Sequence, residues 1–114
     1  MAKYMINICY GDIEQRKKSL HHGDNDFVMN KYREWSEKIA NKTVVAHKLK
    51  DGEGRVLNLT NGKVNDGPFA ETKETIGGFY IVEAENYDEA RQIAAECPTL
   101  LFQGGYVEIR EVEF

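Results

Sequence analysis

The chain has 114 residues, 41% hydrophobic and 30% charged, with 19 acidic and 15 basic side chains for a net charge of -4. That length suits one domain, residues 1–114, whose single core needs no disulfide or metal staple. The acidic balance lacks the basic stripe that phosphate neutralisation requires, which argues against direct nucleic-acid binding; Arg16-Lys17-Lys18 is too short for a binding arm and reads as a solvated loop.

In chain order, YMINICY (Tyr4 to Tyr10) alternates with period two, setting Tyr4, Ile6, Ile8 and Tyr10 against Met5, Asn7 and Cys9. This pattern predicts a central strand, ended by Gly11-Asp12. Its apolar run is too short to span a membrane and lacks the features of a signal peptide, so a cytoplasmic location is expected. Cys9 and Cys97 both fall in apolar patterns and are expected to be buried, inert thiols. Residues 12–23 are polar and predict a loop with at most one helical turn. Asp24 or Asn25 can cap the following helix, over about Asn25 to Ala40, on which Val28, Tyr32, Trp35 and Ile39 make one apolar stripe. Trp35 reads as a core anchor.

TVVAHKL predicts a second strand, broken by DGEG. RVLNLT-NG-KVN predicts a hairpin at a sheet edge, because Asn61-Gly62 is the pair favoured where both turn residues need φ > 0. TIGGFYIVEA predicts a long strand, with Phe79, Ile81 and Glu83 on one face and Tyr80, Val82 and Ala84 on the other. Gly77-Gly78 at its start signals a bulge or a close backbone approach. NYDEARQIAAEC predicts a second helix, capped by Asn86 with Glu89 three residues on, burying Ala90, Ile93, Ala94 and Cys97 and stopped by Pro98. GGYVEIREVEF closes the chain as a last strand.

Strand, helix, strand, hairpin, strand, helix, strand is the ferredoxin-like split β-α-β order of an α+β fold, with an extra hairpin. Both helices then cover one face of the sheet. The other face is left apolar and uncovered, and a second copy of the chain in a two-fold homodimer is the simplest cover.

Asp66-Gly67-Pro68-Phe69-Ala70-Glu71-Thr72-Lys73-Glu74, followed by Gly77-Gly78-Phe79-Tyr80, resembles the signature of the DGPF branch of the YCII-related proteins. YMINICYGD, DEARQIAAECP and GGYVEIREVEF resemble the branch's opening strand, second helix and closing strand, so the resemblance covers almost the whole chain. It implies a fold of the dimeric α+β barrel type. It further implies two alternative settings: a small-molecule enzyme or binder, for which a His-Asp pair is the site proposed in some relatives, or a non-catalytic regulatory module associated with sigma factors. The family's histidine has no matched counterpart among His21, His22 and His47.

The candidate catalytic residues are Asp66, as a general base, and His47 on the second strand. Lys73 is placed to hold an anionic group, with Phe69 anchoring its loop. Tyr4, Tyr80, Tyr106 and Arg110 are expected to line a cavity between the sheet and its dimer mate. Asp-Gly-Pro is turn chemistry in its own right, so the loop is either a structural connector or a functional rim. HHGDND (His21 to Asp26) matches no recognised zinc spacing, and neither a metal nor a cofactor is expected.

Overall fold

Alternation in the first strand decides which residues become core. A computed structural model describes residues 1–50, 53–67 and 75–113. In it β1 (Ala2–Tyr10) turns Tyr4, Ile6 and Ile8 inward, each at most 3% exposed, with Met5 and Asn7 on the opposite face. A short helix α1 (Ile13–Lys17) follows, started by Asp12, whose Oδ1 accepts from the Gln15 N–H at 2.9 Å. The long helix α2 (Asn25–Lys38) is capped by Asp24, which accepts from the Phe27 N–H at 3.1 Å. In each case a short side-chain oxygen satisfies an N–H that the first helical turn leaves unpaired.

Next come β2 (Thr43–Lys48), the hairpin strands β3 (Val56–Thr60) and β4 (Lys63–Gly67), and β5 (Thr75–Ala84). Helix α3 (Tyr87–Ala94) is capped by Asn86, which accepts from the Glu89 N–H at 2.9 Å. The single turn Pro98–Leu101 and β6 (Tyr106–Glu111) complete the described elements. The main sheet has the order β2-β5-β1-β6, antiparallel throughout. With α2 linking β1 to β2 and α3 linking β5 to β6, this is the ferredoxin-like α+β arrangement.

Both helices pack on the same face. Trp35 of α2, Ile39 at its C-terminal cap, and Ala90 and Ala94 of α3 meet Tyr4, Ile6, Ile8, Val82 and Ala84 of the sheet. Trp35 ties the layers together. Its indole N–H donates to the Ile93 carbonyl at 3.0 Å, and its ring lies 4.6 Å from that of Tyr80. Cys9 and Cys97 are both buried and form no disulfide, as their patterns predict. Among the described residues no helix is long and apolar enough to cross a membrane.

The hairpin departs from expectation in its placement. Its turn is as predicted, with Asn61 at φ 52° and Gly62 at φ 76°. It does not extend an edge of the main sheet, however. Among the described residues β3 and β4 pair only with each other, as a separate two-stranded sheet. Pairing across a two-residue turn is a local property of the chain; where the pair docks depends on residues far away in sequence, which the local pattern does not encode.

Candidate functional site

The double glycine at the start of β5 shapes a pocket on the helix side. The β1–β5 register shifts between Ile8 and Cys9, which pair with Gly78 and Ile76, so Gly77 is the extra residue of a bulge. The Tyr10 ring occupies the space that a Cβ on Gly77 would need. At Gly78 a Cβ would come within 3.0 Å of the His47 carbonyl oxygen. Two side chains are missing where backbone and aromatic ring approach most closely.

Beside them a pocket of about 300 Å³ opens between α2 and the sheet. Ile8, Val28, Met29 and Ala46 supply aliphatic wall, and Tyr10, Tyr32 and Tyr80 supply aromatic wall. The polar groups are few and mostly committed. Tyr80 Oη and Ser36 Oγ share a hydrogen bond of 2.6 Å. Lys48 also lines the pocket, its ammonium donating to the Leu49 carbonyl at 3.2 Å, and outside the wall the Arg16 guanidinium lies over the Tyr10 ring at 5.8 Å. Tyr32 Oη is fully buried and closes no hydrogen bond of good geometry, although the Cys97 thiol and Thr99 hydroxyl are its neighbours. Burial pushes the Tyr32 phenol well above its ordinary ionisation range, and Coulombic interaction with Cys97 adds to it. Burial likewise pushes the Cys97 thiol up to about 11. Both are therefore neutral at physiological pH, and Tyr32 presents an uncharged phenol to the pocket.

The residues singled out in the sequence fall in four places. Tyr80 lines this pocket. Tyr4 does not line a cavity of the open face: it is 2% exposed in the core beneath α3, its ring edge-on to Tyr87 at 4.8 Å. It shares a sheet face with Ile6 and Ile8, and that face is the one the helices cover. Tyr106 and Arg110 lie on the open face, paired with Cys9 and Met5 respectively. His47 pairs with Phe79, and the two rings lie 5.8 Å apart. That pairing puts its ring on the open face, so only its strand backbone borders the pocket. Asp66 stands on the hairpin opposite Leu57, exposed to solvent and outside the pocket wall. Phe69 and Lys73 lie outside the described residues. His47 and Asp66 thus sit on different sheets and are not brought together as a pair. Substituting Asp66→Asn is expected to move the free energy of unfolding by no more than about 0.5 kcal/mol in a urea titration, the ordinary range for an exposed side chain.

Among the described residues no three His, Cys, Asp or Glu side chains cluster. His21 stacks on Phe27 instead, ring centroids 3.8 Å apart.

Comparison with known proteins places this geometry in a family. The model of the YCII-related domain matches residues 13–113. The chain belongs to the YCII-related domain family. An uncharacterised protein of Rhizobium meliloti (strain 1021) is 35% identical to this YCII-related domain over 68 residues, which is 60% of the chain and 50% of that protein. The match spans about half the length of that curated relative. Among solved structures, the 5-chloro-2-hydroxyhydroquinone dehydrochlorinase TftG from Burkholderia phenoliruptrix AC1100, in complex with 2,5-dihydroxybenzoquinone, superposes with a TM-score of 0.43 at 22% identity, over 93% of this chain and 90% of that one.

Of the residues expected to line a cavity on the open face of this YCII-related domain, Tyr80 lies on the helix-covered side instead and Tyr4 is in the core. The sequence groups the pocket residues without saying which face they take. Tyr10 and Tyr80 alternate in phase with Ile8 and Val82, and Val28 and Tyr32 lie on the helix stripe that meets that phase.

Proposed function

We propose that this YCII-related domain binds a small, largely apolar molecule in the pocket between α2 and the β2-β5-β1 part of the sheet. The observation that carries the reading is the pocket itself. Its volume of about 300 Å³ stands at the lower end of the usual range for ligand sites, and its wall is aliphatic and aromatic with few polar groups. A molecule of one or two rings, or a short branched chain, suits such a wall. The Gly77 bulge and the Tyr10 ring seated over it make the wall part of the sheet, so the site is rigid rather than assembled on binding.

The second part of the proposal is a homodimer through the open sheet face. Met5, Val45, Phe79 and Ile81 share that face, and no described helix covers it. Ile76 and Tyr106, at the end of the sheet where β5 begins, are 50% and 40% exposed. In this reading Arg110 and the His47–Phe79 ring pair lie at the interface.

A screen of small aromatic and branched aliphatic compounds, read by amide chemical shifts in ¹⁵N-labelled protein, tests the pocket. Shifts are expected at Ile8, Ala46 and Gly78. Substituting Ala46→Phe fills the pocket from the strand side and is expected to weaken any such hit by at least ~10-fold while leaving the other amide positions in place. Hits that bind the substituted protein equally well, or that shift only residues of the open face, would place the ligand elsewhere.

A further inference from the structure

Gly77 is a glycine for the sake of space, not of backbone conformation. The glycines with positive φ among the described residues are Gly23, Gly54, Gly62 and Gly104, and Gly77 is not one of them. Its backbone is therefore one that other residues adopt. What excludes a side chain is the Tyr10 ring. A Cβ on Gly77 would fall 2.5 Å from the Tyr10 Cζ and 2.7 Å from Cδ2, and closer still to Cε2. Carbon atoms in ordinary contact stand ~3.5–4.0 Å apart, so the ring would have to retreat by well over ~1 Å.

The backbone that carries the ring cannot supply that retreat. Tyr10 is the last residue of β1 and pairs with Thr75. The next residue, Gly11, is packed so closely that a Cβ there would come within 2.9 Å of the Gly104 Cα. The displacement therefore falls on the side-chain torsions of Tyr10. The Arg16 guanidinium lies over the ring at 5.8 Å, and the Tyr32 phenol is near enough for Coulombic interaction with Tyr10. The unfilled space beside the ring is the pocket of about 300 Å³, whose wall Tyr10 and Gly77 both supply. A close-packed interior yields into a void more readily than into filled space, and a ring that swings there keeps its apolar surface out of water.

We infer that Gly77 sets the size of ligand the pocket admits. Its missing side chain seats the Tyr10 ring in the sheet and leaves room for two fused rings; a side chain at position 77 turns the ring into the pocket and limits it to one. The inference rests on the pocket reading above and deepens it, assigning specificity to one pair of residues on neighbouring strands. The ligand class that follows is a flat two-ring aromatic molecule, which the Tyr10, Tyr32 and Tyr80 rings of the wall can face.

Titration of the ¹⁵N-labelled full chain with indole and with phenol, followed at the Ile8, Ala46 and Gly78 amides, tests this. The proteins compared are the wild type, Gly77→Ala, Tyr10→Leu and the double variant. Gly77→Ala is expected to weaken indole binding at least ~10-fold and phenol binding by less than ~3-fold. Once Tyr10→Leu has removed the ring, adding Gly77→Ala is expected to change indole binding by less than ~3-fold. Equal weakening of both probes by Gly77→Ala, or indole binding that is unchanged or tighter, would overturn the inference and leave the pocket standing. So would a loss of indole binding when Gly77→Ala is added to Tyr10→Leu. Absence of shifts with both probes in the wild type would overturn the pocket and the inference together. If Gly77→Ala fails to fold, the double variant decides: recovery of a folded spectrum supports the clash with the ring, and continued failure overturns it.

Discussion

Replacing Trp35 by alanine is expected to lower the free energy of unfolding by ~3–5 kcal/mol, measured by urea titration followed by circular dichroism. The estimate follows from position. Trp35 is 3% exposed and joins three elements: its ring lies against Tyr80 of β5 and Tyr32 of its own helix, and its indole N–H reaches Ile93 of α3. Alanine removes the ring, leaves a cavity between layers that cannot close without moving α2, and strips the Ile93 carbonyl of its donor. A domain of this size has a total stability of only about 5–15 kcal/mol, so the variant is expected to be near the threshold of folding at room temperature. Trp35→Phe keeps most of the buried area and loses the hydrogen bond, so it should fall between the two. Equal losses for phenylalanine and alanine would mean that the hydrogen bond to Ile93 matters more than the packing. The chain has one tryptophan, so tryptophan fluorescence cannot follow these variants and the backbone signal is used.

Stability is expected to fall steeply on the alkaline side of about pH 9, with Cys97 responsible for the first part of the decline. Burial pushes its thiol up to about 11 in the folded protein, whereas an unfolded cysteine ionises near ~8.5. Between those values the native state holds a proton that the unfolded state has released, so raising the pH favours unfolding. The loss begins at the unfolded value and levels off above the folded one, with a total of about 2–3 kcal/mol after allowance for partial burial. Tyr32, also raised by burial, adds a second decline that starts near the ordinary tyrosine value of ~10. The check is a set of urea titrations from pH 7 to 11 on the wild type and Cys97→Ala. Alanine costs packing at every pH but is expected to flatten the slope between about pH 8.5 and 10. Parallel declines in the two proteins would remove Cys97 from the account.

How much of this was legible beforehand differs from element to element. The β1 and β5 alternations, the Trp35 stripe, the Asn86 cap and the Asn61-Gly62 turn all appear where the pattern puts them. Each depends on neighbours within a few residues: a cap on the N–H three positions on, a turn on two dihedral pairs, a strand face on strict alternation. The bulge at Gly77-Gly78 was legible for the same reason, because a residue without Cβ marks a close approach even when the approaching group, the Tyr10 ring, is unknown.

The candidate site was less legible, because it depends on which of two alternating faces the helices cover. Sequence alone sorts Tyr4, Ile6, Ile8 and Tyr10 from Met5, Asn7 and Cys9, and does not say which set lies under α2 and α3. Folding answers that question: the first set lies under the helices, which turns Tyr4 into core and joins Tyr10 and Tyr80 to Tyr32 around a pocket. The same limit explains His47 and Asp66. Their residue types suited catalysis, but one faces Phe79 across β2–β5 and the other stands on a hairpin of its own. Periodicity and turn chemistry were enough for the α+β order, because that order is carried by local signals strung along one chain; the family rested on the resemblance of Asp66–Glu74 and its flanks to a known motif. The pocket comes from contacts between residues tens of positions apart, and such contacts exist only once burial has chosen a side for every strand.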